Sequence, residues 1–435
     1  MAQPLAWLAD KLKVERAGSL AKGAVRRVGA APGLRAFRNR DFSLLWLGAM
    51  VSFTGVQVQG IAQGYLVYEM TGNEAMLGLV MFATLVPVSL FGPILGVFSD
   101  VLDRRKIMVV ASVILASGAA FLGYAAHMGF LQYWHIIAVA VVGGFVLTIE
   151  NPSRQSIVRE VVPDDHLAAA VPAMGMTFNL ARVAGPAVGA LLIVKFGPEF
   201  CFWLNAVTFS AIIVATLAIK ADLSAKNLEP QPIRDLLTEG MLYTMREKSL
   251  RTLFLLESTT SFFGIFYLAL MPAIAKDMLG LGAKGLGVAY SSVGVGAMLG
   301  LMLMMSISHI RVKPLLVRIA MSVFAASMLA MAFVREPWVA YVLFGVMGGA
   351  TMMQFNTTNT LFQLLAPERL RGRVLSMHMW AIMGVSPIGI LLFGWVSTKA
   401  SLQVAFLIGG GAIGVGAIVA WISRRLVYEP EAVPS

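Results

Sequence analysis

Runs of about twenty apolar residues, each closed by a short polar turn, recur along most of the chain. That is the length an α-helix needs to cross a bilayer. Twelve such runs begin near Ser43, Ala75, Lys106, Leu131, Leu167, Glu199, Leu250, Ala283, Lys313, Trp338, Val374 and Leu402. One connection is long, from about Lys220 to Ser249. It holds the polar linker KNLEPQPIRD and then DLLTEGMLYTM, whose spacing predicts an amphipathic helix. The pattern predicts an all-α membrane protein of twelve transmembrane helices in two six-helix bundles. Residues 1–40 form a basic N-terminal segment, 41–220 and 250–424 the bundles, 221–249 a central loop and 425–435 a tail. A faint repeat supports pseudo-symmetric halves. Gly96 and Gly300 close the second and eighth spans, and Pro163 and Pro367 follow the fourth and tenth, both pairs at an offset of 204.

Composition removes the soluble alternatives. The chain has 435 residues, 58% hydrophobic and 13% charged, with mean hydropathy +0.78. That leaves too little polar surface to coat a globule, so the lipid bilayer is its first partner. The net charge of +11 belongs to the loops on one side of the membrane rather than to nucleic acid. Of the 34 Lys and Arg, 28 fall in the terminal segments and the even-numbered loops. Five, Lys195, Lys276, Lys284, Arg335 and Lys399, fall on the opposite side. Such bias predicts a multi-pass protein of the cytoplasmic (inner) cell membrane with both termini in the cytoplasm. One more or one fewer span would mix the two sets.

Several chemistries drop out. One cysteine, Cys201, allows no disulfide, and five scattered His offer no metal-ligand spacing. No cofactor or metal is expected. There is no G-x-x-x-x-G-K-[ST] loop for ATP and no nucleophile elbow, so an enzyme is not indicated. The first 40 residues carry Lys11, Lys13 and Arg16 where a signal peptide would be apolar. Leu5, Leu8 and Leu12 suit a short helix on the membrane surface or a disordered basic tail equally well.

Ionisable residues inside spans cost about 2.5–3.5 kcal/mol near the centre and mark functional positions. Four stand out: Glu150 and Arg154, at i and i+4 in span 4; Arg182 in span 5; and Glu257 in span 7. Glu150 can meet Arg182 across antiparallel neighbours, as a proton site, a pair that opens with transport, or a static ion pair. Glu257 is the rival proton site, facing a cavity or a partner, or snorkelling to water. Amides in spans 1, 5 and 10 need polar surroundings as well: Gln57, Gln59, Gln63, Asn179, Gln354, Asn356 and Asn359. Met81, Phe82, Phe262, Phe263, Phe266, Met352 and Met353 suit an adaptable apolar wall, or plain lipid and core contacts.

The stretch GVFSDVLDRRK resembles the loop motif of the major facilitator superfamily through Gly96, Asp100, Arg104 and Arg105. Together with FRNRDFSLLWLGAMVSFTG and NPSRQSIVREVVP it is similar to the enterobactin-exporter-like, "transmembrane secretion effector" branch, over about residues 35 to 425. The resemblance implies two bundles rocking around a central site lined by helices 1, 4, 7 and 10. It also implies a lock in which Asp100 packs near the start of helix 11, where a helix N-terminus favours a carboxylate. Otherwise the charges only mark a cytoplasmic loop. Val101 replaces the usual Arg, and Met304 stands where the second half would carry an Asp, so any such lock is one-sided. NLARVAGPAVGALL resembles the antiporter motif through Gly185, Pro186 and Gly189, or is ordinary small-residue packing. Gly55 is followed by Val56 and Gln57 rather than an acid or Thr-Trp, which weakens cation-selective recognition. The resemblance implies export of a small amphipathic molecule, a siderophore, drug or metabolite, against protons. Lysophospholipid transport, metabolite uptake and a non-transporting membrane sensor are the other readings. Twelve spans can work alone, so a monomer is expected.

Overall fold

The computed structural model describes residues 32–224, 233–307 and 313–422, with side chains for all of these except 32–34, 93–101 and 233–237. The expected surface helix near Leu5 to Leu12 and the tail from 425 lie outside the described residues. Among the described residues twelve helices are long and apolar enough to cross a membrane. They are α1 (Arg40–Thr71), α2 (Glu74–Val101), α3 (Arg104–His127), α4 (Tyr133–Val161), α5 (Asp164–Phe196) and α6 (Pro198–Ala218), then α7 (Lys248–Ala269), α8 (Ala283–Ser306), α9 (Lys313–Met331), α10 (Pro337–Leu365), α11 (Glu368–Lys399) and α12 (Leu402–Ile422). The amphipathic segment forms a linker helix, Ile233–Arg246. The starts agree with the hydropathy pattern to within a few residues. The exception is α11, which begins six residues before Val374 as a 3-10 turn at Glu368–Leu370.

Local chemistry sets the helix ends. Asn39 caps α1 by accepting from the N–H groups of Asp41 and Phe42 at 2.9 and 3.2 Å. Asp103 caps α3 through Arg105 and Lys106 at 2.8 and 3.2 Å. Gly72 closes α1 with φ of 54°, a left-handed conformation that glycine adopts without strain.

The two halves repeat one packing plan. α1 packs on α5, α2 on α4 and α3 on α6; six helices later α7 packs on α11, α8 on α10 and α9 on α12. The halves meet where α5 lies on α8 and α2 on α11. Small residues bring these backbones close. A Cβ on Gly287 would sit 3.0 Å from Pro186 O, and one on Gly394 would sit 3.0 Å from Glu74 O.

The repeat is not perfect. α1 and α5 are continuous, whereas α7 and α11 are broken. α7 changes course after Gly264 and, beyond Ala269, continues through Met271–Ala273 into a π turn at Ile274–Met278. α11 stops at Met383 and restarts at Ser386. Proline explains both joints, because it cannot donate to the carbonyl four residues back. Pro272 leaves Leu268 O free, and the Tyr290 hydroxyl of α8 donates to it at 2.8 Å. Pro387 leaves Met383 O free, and the Ser89 hydroxyl of α2 lies 2.5 Å away, in the other half.

Candidate functional site

A cavity of about 250 Å3 lies between the halves, lined from α1, α2 and α5 on one side and α7 and α8 on the other. Gln57, Gln63 and Arg182 supply its polar wall from the first half and Tyr290 from the second, with Met81 and Phe178 among its apolar residues. Arg182 is the charge in this space. Among the described residues no carboxylate pairs with it. An unpaired guanidinium at a membrane span's cavity wall presents five donors to whatever enters.

A second chamber of about 510 Å3 lies toward the end that bears the chain termini, within the first half. Glu150 and Arg154 stand on its wall, and Phe178 lines both chambers. The expected meeting of Glu150 with Arg182 is not what the structure places there. Glu150 pairs with Arg154, one helical turn away, because i and i+4 share a face. Both are buried, at 1% and 6% exposure. The Arg154 guanidinium also lies 4.2 Å from the centre of the Phe53 ring. Its Nε and Nη1 have no hydrogen-bond partner, so donor capacity remains. Phe53 and Phe178 meet edge to face at 5.6 Å, at the boundary of the two chambers.

The amides divide. Gln57 and Gln63 line the central cavity. Gln59, one helical turn before Gln63, accepts from Asn205 of α6 at 2.6 Å. Gln354 is fully buried and exchanges hydrogen bonds with Thr260 of α7 at 2.9 and 3.1 Å. Asn179 and Asn356 donate to carbonyls of their own helices, Gly175 and Met352. Asn359 accepts from Gln363 at 2.5 Å. Each of these amides outside the central cavity thus finds a protein partner. Phe266 likewise stacks in the core on Phe393, with centroids 4.4 Å apart.

Of the loop motif, Gly96 and Asp100 fall within α2, but their side chains lie outside the described residues, as does Arg311 of the second half. Arg104 and Arg105 act inside the first half. Arg104 is buried and pairs with Glu160 of α4 at 3.7 Å. Arg105 donates to Ile219 O and Ala221 O at 2.7 and 3.1 Å, covering open carbonyls at the end of α6. In the second motif, Gly185 and Gly189 seat α5 on α1, at Gln57 and Val58. Pro186 and Ala190 seat α5 on α8 at Gly287. The motif therefore faces two helices at once, one in each half.

Polar bonds join the halves at the end remote from the termini. Tyr68 of α1 donates to Asp277, and Glu69 pairs with Lys276 at 2.9 Å. Thr398 of α11 donates toward Asn73 and Glu74 at 3.0 Å. At the other end the linker helix is tied to α11, with Glu239 paired to Arg369 at 2.6 Å and to Arg373. Glu257 neither lines a described cavity nor reaches water. It is fully buried and shares a 2.8 Å hydrogen bond with His378 of α11. His378 carries no local signal of a role, since its partner is 121 residues away. Tyr290 and Phe178 likewise carried no signal.

Residues 31–434 match the family model described as transmembrane secretion effector. Macrolide efflux protein A of Streptococcus pyogenes is 25% identical over 87% of this chain and 94% of its own length. The multidrug efflux pump Tap of Mycobacterium tuberculosis is 25% identical over 84% and 88%. Among solved structures, the nucleoside transporter NupG superimposes with a TM-score of 0.73 at 13% identity, over 90% of this chain and all of that one, which speaks to fold alone. With twelve spans, paired halves and a cavity between them, the chain belongs to the transmembrane secretion effector family of the major facilitator superfamily.

Proposed function

We propose that this protein exports a small amphipathic molecule by alternating access, driven by protons moving inward. The observation that carries the reading is the cavity between the halves, with Arg182 unpaired among Gln57, Gln63 and Tyr290. An apolar wall holds the body of the molecule, and the guanidinium holds an acceptor group on it. The chamber beside Glu150 and Arg154 receives the molecule first, and Phe178 is common to both spaces. Relatives named for macrolide and multidrug efflux support outward transport of such compounds.

The basic residues at the end bearing the termini favour that end as cytoplasmic, in the inner membrane. On that orientation the Glu69–Lys276 and Tyr68–Asp277 bonds close the outer side. Residues 41–220 and 250–424 are the two moving bodies, joined by 221–249, and one chain suffices. The antiporter-like residues Gly185, Pro186 and Gly189 form the seam on which α5 shifts between α1 and α8. Asp100 biases the inner side in the manner that the loop motif implies.

Everted membrane vesicles test this. Given an imposed proton gradient, they are expected to accumulate members of a panel of macrolides, siderophores and lipophilic dyes, and to lose them on adding an uncoupler. Accumulation indifferent to both gradient and uncoupler overturns proton antiport. No accumulation of any compound, in vesicles shown to hold the protein, overturns export of this class.

A further inference from the structure

The second half buries an acid and an imidazole together, apart from both chambers. Glu257 of α7 is 0% exposed and His378 of α11 is 3% exposed, with Nδ1 and Oε2 2.8 Å apart. The other carboxylate oxygen, Oε1, has no hydrogen bond, and neither do the hydroxyls of Ser258, Ser261 and Thr357 in the same half. The imidazole lies against Phe362, 5.6 Å between ring centres. Few charges attend the pair. α12 has no ionisable residue, α10 has only Tyr341, near its opposite end, and α9 has Lys313 and Arg318 toward its start. On the linker helix Glu239 is committed to Arg369 and Arg373 of α11, and Tyr243 and Arg246 are the other titratable groups of its described side chains. On α7 itself Lys248 and Arg251 stand nearer the helix start and Tyr267 nearer its end, α11 adds Glu368, Arg371 and Lys399, and Glu74 is the ionisable group among the described side chains of α2. None of these is ion-paired or hydrogen-bonded to Glu257.

An acid–imidazole pair in a dry interior holds one proton without net charge, whichever atom carries it. Losing that proton leaves an unmatched anion, and gaining another leaves an unmatched cation; both are disfavoured away from water. Occupancy therefore changes only when water reaches the pair. The fold supplies a way for that to happen. His378 rides on the segment Arg371–Met383, which the joint before Ser386 separates from the part of α11 that packs on α2. The carbonyl freed at that joint, Met383 O, contacts Ser89 of the first half. Rocking of one half on the other is thus felt next to the segment that carries the imidazole.

We propose that Glu257 and His378 form the site of the exchanged proton, opened to water by movement of Arg371–Met383 about the joint in α11. In the opened form water takes the proton as hydronium, leaving carboxylate and neutral imidazole. Later in the cycle a hydronium from the other side returns a proton to the pair. This rests on the proton-antiport reading.

Two measurements test it. In the unaltered protein, nitrogen NMR of labelled histidine, assigned with His378→Asn, is expected to show a His378 ring signal that responds to pH through the opened form. Glu257→Gln is expected to alter that response. A His378 signal indifferent to pH overturns the proposal, and needs no transport at all. In proteoliposomes, Glu257→Gln and His378→Asn are expected to keep substrate counterflow within a few-fold of the parent and to lose stimulation by a pH gradient. Variants still driven by the gradient as the parent is overturn the dyad alone. A parent indifferent to the gradient overturns antiport and the dyad's role with it.

Discussion

Glu69, in the last turn of α1, and Lys276, in the π turn after α7, form a 2.9 Å ion pair that joins the halves of the molecule. The hydrogen bond to Glu69 raises the ammonium above its ordinary value near 10.5. A raised value means that the pair's contribution is complete at neutral pH and is lost only as pH climbs through the lysine range. Lys276→Gln is therefore expected to loosen the closed end at neutral pH, an effect that acidification of wild type through Lys276 cannot mimic. A cysteine placed at Gln63 should then react faster with a membrane-impermeant thiol reagent from that side. Unchanged reactivity counts against the clasp.

Arg154 and Glu150 make a different kind of pair, buried and one turn apart. Arg154→Ala leaves a carboxylate without its partner and is expected to cost about 3–5 kcal/mol of stability. The double variant Glu150→Gln with Arg154→Gln should recover most of that loss, because no buried charge remains. Thermal unfolding in detergent compares the two. A double variant as unstable as the single one contradicts the assignment.

Among the described residues Arg182 has no carboxylate to compensate it, so its replacement is expected to cost little in fold and much in recognition. Arg182→Gln is expected to weaken binding of a substrate found by the vesicle assay about ten-fold or more, with melting temperature preserved. Arg182→Lys should fall between, since one ammonium cannot reproduce a planar fork of donors. Equal affinity in all three proteins would remove Arg182 from the binding surface.

Gly287 sits where α8 meets α5, with Pro186 O 3.0 Å from the position of an added Cβ and Ala190 closer still. Gly287→Val is expected to penalise this contact by about 1–3 kcal/mol. Both halves should keep their own packing, while transport falls and thiol access to the cavity rises. A variant that transports at the parental rate would show that the seam is not closely packed in the working cycle.

The spans and their grouping were legible because apolar length is a strong signal that needs no neighbour. Of the buried ion pair only the shared face of Glu150 and Arg154 was legible from the i, i+4 spacing; Glu150 was expected to meet Arg182, and the nearer partner on its own helix took its place. The facing of individual amides was not legible. These helices are apolar nearly all round, so periodicity does not distinguish lipid from protein. Gln59 and Gln63 share a face by spacing, yet Gln59 is drawn to Asn205 on α6 and Gln63 to the central cavity. His378 meets Glu257 only through the fold. Asp103, which the loop motif does not use, holds the first turn of α3.

Where α5 lies on α8 and α2 on α11, the helices approach through small residues, Gly287 on Ala190 and Gly78 on Gly394, with the serine hydroxyls of Ser291 and Ser89 reaching carbonyls of the facing helix. On the proposed cycle these small residues act as a bearing and set how fast the molecule reorients. The Glu69–Lys276 and Tyr68–Asp277 fastenings then set where it comes to rest. Speed and bias are on that reading carried by different residues, and substitution can alter one without the other.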